Sequence, residues 1–97
     1  MAALTVRWTR QAIADIDRIY DYVVANNPGA ARWLVDRIDQ AITTLTRHPK
    51  IGRAGRVAGS RELVVSGTPY IVAYRLHGKA IELLGVIHAA RRWPDKF

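Results

Sequence analysis

The 97-residue sequence contains no cysteine, which excludes disulfide bonds, thiolate metal sites and cysteine nucleophiles. It also lacks a long apolar run, because charged residues recur throughout, and this predicts no membrane-spanning helix. Residues 1–8 lack the apolar core of a signal peptide. Together these absences predict a cytoplasmic protein that does not act at a membrane.

Acidic residues are scarce in the second half of the chain. Residues 1–46 hold five arginines and five aspartates, whereas residues 47–97 hold ten cations and three acidic residues. The formal net charge of +7 therefore lies entirely in the second half (10 − 3 = +7). A cationic half of this kind indicates an acidic partner, either nucleic acid or an acidic protein segment.

Apolar residues are abundant enough for one core. Hydrophobic residues make up 49% of the chain, which is typical of a folded protein rather than a disordered one. A chain of this length forms one small domain that can bury a modest core. We therefore expect a single domain over residues 1–97.

The first half of the sequence predicts a strand followed by two helices. Residues 3–8 alternate apolar and polar side chains, which is typical of a strand whose Leu4, Val6 and Trp8 share one face. A first helix over about residues 10–26 and a second over about residues 28–47 follow their capping residues, Thr9 and Asn27. Helices joined by so short a connection form an antiparallel hairpin.

Periodicity assigns one buried face to each of these helices. The predicted stripes are Ala12, Ile13, Ile16, Ile19, Tyr20 and Val23 in the first helix and Ala31, Leu34, Val35, Ile38, Ala41, Ile42 and Leu45 in the second. Asp15 and the other charged residues of the first helix are expected to face water. Trp33 and Arg37 lie together off the second stripe, where packing of Trp33 on the neighbouring helix is favoured over a partner contact.

Residues 61–92 predict a three-stranded antiparallel meander. Three runs rich in Val, Ile, Leu and Tyr are separated by tight turns at Gly67-Thr68 and His77-Gly78. The resulting registers place Leu63, Val65, Tyr70, Val72, Tyr74, Ile81 and Leu83 on the core face. They place Glu62, Val64, Ile71, Ala73, Arg75, Glu82, Leu84, Val86 and His88 on the other face. The expected fold is therefore α+β: a strand, a helix hairpin and a meander.

Arg75 has a structural and a functional interpretation. The predicted registers put Glu62 and Glu82 on either side of Ala73, each diagonal to Arg75 and within reach of its side chain. We therefore predict that Arg75 is held between the two glutamates. The alternative is a cation that acts on a phosphate.

Residues 48–60 contain three glycines and three cations without apolar periodicity. They lack the P-loop pattern and its strand–helix frame, so we expect a solvated basic loop that lies over a partner. The three histidines share no short metal-ligand spacing, and no serine has a nearby base and elbow motif. We predict neither a metal nor a cofactor. Metal-free RNA cleavage stays open, with His88 as the acid or base and Arg75, Arg91 and Arg92 as phosphate-binding cations.

Four segments resemble toxins of the RelE/ParE superfamily of type II toxin–antitoxin modules. They are His48–Arg53, Arg61–Val65, Pro69–Arg75 and Val86–Pro94, and the resemblance extends over nearly the whole chain. RelE-like members cleave mRNA in the ribosomal A site with basic residues and usually a terminal tyrosine or histidine. ParE-like members inhibit DNA gyrase and have no recognised catalytic residues.

The tail favours the ParE-like subgroup. No tyrosine follows Arg92, and the spacing of His88 to Arg91 together with Trp93 looks ParE-like. The resemblance implies a toxin of a plasmid-stabilisation type that binds DNA gyrase and is not an enzyme. The predicted target-binding residues are Arg53, Arg56, Arg61, His88, Arg91, Arg92 and Trp93. A ribosome-dependent mRNA endonuclease is the alternative, with His88, Arg75 and Arg91 as its candidate catalytic residues.

The resemblance also implies a cognate antitoxin. Antitoxins of such modules are small proteins, encoded by an adjacent gene, that join a DNA-binding part to a segment that wraps the toxin. An acidic segment would complement the basic half of this chain, which would then contact DNA only through the antitoxin. A basic nucleic-acid-binding domain without toxicity is the alternative from another functional class.

Overall fold

The computed structural model describes residues 4–94 and 96–97. Its elements are β1 (Thr5–Trp8), α1 (Arg10–Asn26), α2 (Pro28–Arg47), β2 (Arg53–Ala54), β3 (Arg61–Val64), β4 (Tyr70–His77) and β5 (Ala80–His88). The strand predicted over residues 3–8 begins at Thr5, and Ala3 lies outside the described residues. The order of strand, helix hairpin and meander matches the expected α+β fold.

The strands form one mixed sheet in the order β1-β5-β4-β3-β2. The meander of β3, β4 and β5 is antiparallel, but β1 pairs in parallel with β5 and the two-residue β2 pairs with β3. The prediction of a separate first strand and a three-stranded meander is therefore incomplete. Local alternation identifies a strand, but the partner that it pairs with depends on distant chain segments.

The helices begin at the predicted caps but turn a different face to the core. The side chains of Thr9 and Asn27 accept hydrogen bonds from the backbone N–H groups of the first turns of α1 and α2. In α1, however, Asp15 is only 3% exposed, whereas Ile13 and Tyr20 are more than 40% exposed. The buried face of α1 is thus rotated toward Asp15, and the predicted stripe is wrong at these positions. In α2 the stripe is confirmed except for Val35, which is exposed.

The first turn of the meander gives the predicted register and the second does not. Leu63 lies opposite Val72, as predicted. Between β4 and β5, however, His77 pairs with Ala80, so Gly78 occupies the first central position of the turn. Gly78 has φ of 60°, and a type II′ turn takes its glycine at this first position. The pairing consequently slips by two residues, and a slip of two by itself moves no side chain to the other face.

A β-bulge then changes the faces at the end of β5. Tyr74 pairs with Leu83 but Ala73 pairs with Gly85, so Leu84 is the extra residue. Beyond the bulge Val86 lies opposite Val72, and His88 lies opposite Tyr70. Val86 was predicted on the face away from the helices but belongs to the core, and His88 moves with it. A bulge leaves no signal in an apolar run that is hydrophobic on both faces.

The core lies between the helix hairpin and one face of the sheet. Tyr74, Val72, Ile81 and Leu83 are fully buried there. The remaining buried members of the cluster are Ala12, Ile19, Leu34, Ile38, Ile42, Leu45, Val65 and Val86. The prediction that Tyr74 faces the core is confirmed. This packing fixes β4 and β5, on which the site described next is built.

Candidate functional site

The basic loop over residues 48–60 is attached to the sheet by Tyr74. The Tyr74 hydroxyl donates to the carbonyl oxygen of Pro49 at 2.8 Å and accepts the backbone N–H of Gly52 at 2.9 Å. A β-carbon at position 52 would lie 2.5 Å from that hydroxyl oxygen, so the loop can approach the sheet only with glycine there. The loop is therefore ordered on the sheet and is not the freely solvated segment that its composition suggested.

Arg61 contributes to the same attachment. Its guanidinium donates to the carbonyl oxygens of Gly52 at 3.0 Å and Lys50 at 3.3 Å. The side chain is partly buried beneath the loop. Arg61 was predicted to bind a target, but the structure places its guanidinium against the protein's own loop.

Burial raises the pKa of Tyr74 above its ordinary value of 10.0, although the Gly52 N–H and the charge of Arg61 partly lower it. The folded state therefore favours the neutral hydroxyl, whose contribution is present below about pH 10 and is lost as the pH rises through the folded pKa. Tyr74→Phe should lower the free energy of unfolding by about 1–3 kcal/mol at pH 8. Urea titrations at pH 8 and about pH 11 should show a smaller alkaline loss in Tyr74→Phe than in the wild type. Equal losses in both proteins would contradict this role.

Glu62 is a buried carboxylate at the centre of the loop's basic residues. It is only 3% exposed, yet it was predicted to pair with Arg75 across the sheet. Instead it accepts the Arg53 guanidinium at 3.2 Å and the backbone N–H of Arg56 at 2.6 Å. The carboxylate oxygen that accepts Arg53 also lies 3.9 Å from the Nε of Arg56. The prediction that Glu62 holds Arg75 is therefore wrong. The loop folds back on β3, and its Arg53 and Arg56 bind the carboxylate instead.

Arg75 pairs with Glu82 alone. The two residues lie directly opposite each other in β4 and β5, and Arg75 Nε lies 2.5 Å from the carboxylate. The half of the prediction that concerns Glu82 is thus confirmed. Arg75 stays exposed, but its charge is compensated by a carboxylate that is largely buried.

The tail after β5 returns to the basic loop. The ring of Trp93 lies against the guanidinium of Arg56, with 4.1 Å between Arg56 Cζ and the ring centroid. Further along, the Phe97 ring approaches Gly85 closely enough that a β-carbon there would lie 3.1 Å from it. The tail therefore packs on the rest of the domain.

A cleft of about 1130 Å³ lies between α1, the basic loop and the tail. Its lining includes the cations Arg18, Arg75, Arg91, Arg92 and Lys96, together with the rings of Tyr22, Tyr70, His88, Trp93 and Phe97. All three candidate catalytic residues thus line one cleft. Of the predicted target-binding residues, it collects His88, Arg91, Arg92 and Trp93, with Arg56 attached through Trp93.

Asp15 forms part of the cleft wall and completes the edge of β5. Strand β1 ends at Trp8, so on that side β5 has no neighbouring strand beside Val86, although β4 pairs with it on the other side. The carboxylate of Asp15 accepts the Val86 N–H at 3.0 Å in place of a strand. It also accepts Gln11 at 2.8 Å and Arg18 at 2.7 Å. Asp15 therefore supplies the acceptor that the buried Val86 N–H would otherwise lack.

His88 has one ring nitrogen engaged. Its Nδ1 accepts the backbone N–H of Ala90 at 3.1 Å, and its ring meets Tyr70 edge to face with 5.4 Å between centroids. The neutral ring consequently carries its proton on Nε2. Among residues 4–94 and 96–97, no three His, Asp or Glu side chains are grouped to hold a metal ion, and no helix is long and apolar enough to cross a membrane.

The family described as ParE toxin of type II toxin-antitoxin system, parDE, matches residues 6–93 of the chain. The chain belongs to this family. It is 39% identical over 95 residues to Y4kP of Sinorhizobium fredii, a protein provisionally named as a toxin, with 98% of each chain covered. It is 36% identical to Toxin RelE2 of Caulobacter vibrioides, over 89% of this chain and 96% of the relative.

Two solved structures share the fold of this ParE-family toxin. One is a chain of the chromosomal ParDE system from P. aeruginosa, with TM-score 0.79 and 31% identity over 89% of this chain and 96% of that one. The other is a chain of the RelBE2 toxin–antitoxin complex from Mycobacterium tuberculosis, with TM-score 0.63 and 25% identity over 89% and 98%. The superfamily and the ParE-like subgroup expected from the sequence are thus confirmed.

The contacts by which Asp15 and Glu62 shape the site of this toxin were not predicted from the sequence. Asp15 lies among other charged residues of α1, so periodicity assigned it to the solvent side. Glu62 was recognised as a paired carboxylate but with the wrong partner. The signal for its true partners was the density of arginines in the loop immediately before β3, at Arg53 and Arg56.

Proposed function

We propose that this ParE-family toxin inhibits growth by binding DNA gyrase through a surface formed by Arg91, Arg92, Trp93 and Arg56. The observation that carries the proposal is the packing of Trp93 on Arg56 beside two exposed arginines. Tryptophan and arginine are the residue types that most often dominate the binding energy of protein interfaces. The family match suggests which target is bound, because the resemblance to ParE-like toxins implies gyrase.

The polar contacts within the cleft favour binding over catalysis. Arg75 is paired with Glu82, which compensates the charge that a phosphate would otherwise meet. The Nδ1 lone pair of His88 is occupied by the Ala90 N–H, which holds the proton of the neutral ring on Nε2. A ring held in this tautomer is poorly arranged to accept a proton through Nε2.

An antitoxin partner follows from the same surface. Two solved relatives of this toxin are chains of the ParDE toxin–antitoxin system and of the RelBE2 toxin–antitoxin complex. We propose a cognate antitoxin that has an acidic segment and is encoded by a neighbouring gene. Toxin and antitoxin would meet in the cytoplasm. Opposite charge would speed its association with the basic loop and tail. DNA would be contacted by the antitoxin and not by the toxin.

Ribosome-dependent mRNA cleavage is the second candidate. The observation in its favour is that His88, Arg75 and Arg91 line one cleft. As an imidazolium, His88 could give its Nε2 proton to a leaving oxygen, but its Nδ1 would then carry a proton and release the Ala90 N–H. The relative named Toxin RelE2 is consistent with either mechanism, since its name states no target.

Two assays with purified protein separate the candidates. Gyrase supercoiling of relaxed plasmid is measured in one, and cleavage of an mRNA during translation in the other. We expect inhibition of supercoiling without translation-dependent cleavage. Cleavage with unaffected supercoiling would replace gyrase by the ribosome as the target.

His88→Gln should leave the toxin active. Glutamine keeps a polar group of similar reach but cannot transfer a proton near neutral pH. If His88 were the acid or base of an RNase, the substitution should lower activity by roughly 10²–10⁴-fold. Growth inhibition on induction, with protein levels matched by blotting, measures the difference. A folded variant that no longer inhibits growth would favour the RNase.

A further inference from the structure

We propose that Glu62 is a positioning residue for the target-binding surface: it orients Arg56, and Arg56 in turn orients the ring of Trp93. Glu62 itself lies beneath the loop and is too buried to meet a target. The activity part of this inference rests on the proposed function, whereas its structural part does not.

Glu62 holds both the backbone and the side chain of Arg56. One carboxylate oxygen accepts the Arg56 N–H at 2.6 Å, and the other lies 3.9 Å from the Arg56 Nε. Two attachments to one residue fix the direction in which its side chain leaves the loop. The turn behind it is closed by a hydrogen bond of 2.8 Å from the Gly55 N–H to the Ser60 carbonyl oxygen. Only glycine fits at position 55, since a β-carbon would lie 2.1 Å from the Ser60 hydroxyl.

The buried position of Glu62 explains why these attachments are strong. A carboxylate whose side chain is 2% exposed is costly unless it is paired and hydrogen-bonded. Arg53 and Arg56 supply the pairing and the Arg56 N–H supplies the hydrogen bond. Because one carboxylate faces two guanidinium groups, the loop still presents a net positive charge. Glu62 therefore orders the loop without neutralising it.

Arg56 is the polar group that meets the Trp93 ring. The distance of 4.1 Å from Cζ to the ring centroid is well inside the range of a cation–π contact. The indole Nε1 is buried and makes no hydrogen bond to any of the described residues. The ring is thus oriented by its face against Arg56 and not by its N–H group.

The chain contains a second arginine–tryptophan contact that serves as a comparison. Arg37 lies over the ring of Trp33 at 5.2 Å, and within the described part of the chain no carboxylate lies within 4.0 Å of it. Trp33 is 45% exposed, whereas Trp93 is partly buried. The shorter contact is the one in which a buried carboxylate holds the arginine.

The structural part is tested by fluorescence in a background that keeps Trp93 as the only tryptophan, Trp8→Phe/Trp33→Phe. Acrylamide is the quencher, because a neutral molecule does not respond to the altered charge. Glu62→Gln and Arg56→Gln should raise the quenching constant of Trp93 to a similar value, and Arg37→Ala should leave it unchanged. Arg56→Gln keeps the backbone N–H to Glu62 and changes a half-exposed side chain, so it should fold even if Glu62→Gln does not.

The functional part is tested by a double-mutant cycle of Glu62→Gln and Trp93→Ala on gyrase inhibition. Glu62→Gln alone should raise the half-inhibitory concentration about tenfold, the scale of an interface anchor that is displaced but present. In the Trp93→Ala background the same change should have almost no further effect, because there is no ring left to orient. Circular dichroism confirms that each variant is folded.

Two results would overturn the inference. One is a Trp93 quenching constant that stays at the wild-type value in Arg56→Gln. The other is a full tenfold effect of Glu62→Gln in the Trp93→Ala background, which would place the action of Glu62 elsewhere. If the wild type failed to inhibit gyrase, the proposed function would fall, whereas the quenching result would still decide whether Glu62 and Arg56 position Trp93.

Discussion

Replacing Arg91, Arg92 and Trp93 together with alanine should abolish gyrase inhibition and growth arrest. Two exposed cations and one aromatic anchor are removed from the proposed binding surface. A tryptophan hot spot is worth about 2 kcal/mol and each exposed arginine about 0.5–1 kcal/mol, which gives about 3–4 kcal/mol in total. The half-inhibitory concentration should rise on the order of 10²–10³-fold. Supercoiling assays with graded amounts of purified protein measure the change directly.

The structure offers a matched control for this triple variant. Arg32, Trp33 and Arg37 of α2 have the same composition and lie outside the cleft. Their triple alanine variant loses the same charge and the same ring but should inhibit gyrase like the wild type. Substitution is preferable to deletion of the tail, because Phe97 packs close to Gly85 and its loss would disturb the fold. A folded tail variant that inhibits as strongly as the control would contradict the proposed surface.

Leu83→Ala should lower the free energy of unfolding by about 2–5 kcal/mol, as large-to-small changes in a well-packed core do. Leu83 is fully buried, lies opposite Tyr74 and directly precedes the bulge in β5. The lost side chain would leave a cavity between the sheet and the helix hairpin, where backbone on both sides limits collapse. Urea denaturation followed by circular dichroism measures the loss.

Val64→Ala is the control for Leu83→Ala. Val64 lies on the neighbouring part of the sheet and is 50% exposed. Surface substitutions of this kind usually change the free energy of unfolding by no more than about 0.5 kcal/mol. Similar losses in the two variants would mean that Leu83 does not lie in the core.

The sequence predicted the elements of the fold better than their pairing. Thr9 and Asn27 act as helix caps because their side chains bond to the nearest backbone N–H groups, a relation that is local in sequence. The parallel pairing of β1 with β5 joins segments more than 70 residues apart, and no local pattern specifies it. The bulge at Leu84 is a shift in the pairing of β5 with β4. Neither feature could be read from alternation alone.

For the candidate site, too, some features could be predicted from the sequence and others could not. Its residue types were predictable, since the cationic loop and the Arg91–Trp93 tail stand out by composition. Their connections were not, because the Arg56–Trp93 contact and the burial of Glu62 arise only when loop, strand and tail meet. The burial of Asp15 was not predicted for a related reason. Its carboxylate accepts a backbone N–H from the unpaired edge of β5, a contact between distant parts of the chain.

Inhibition of gyrase by the purified toxin, titrated against relaxed plasmid, tests the central claim most directly. We expect that the wild type and the Arg32/Trp33/Arg37 control both block supercoiling, and that the Arg91/Arg92/Trp93 variant does not. Undiminished supercoiling at saturating wild-type protein, together with growth arrest by the same protein in cells, would contradict gyrase as the target.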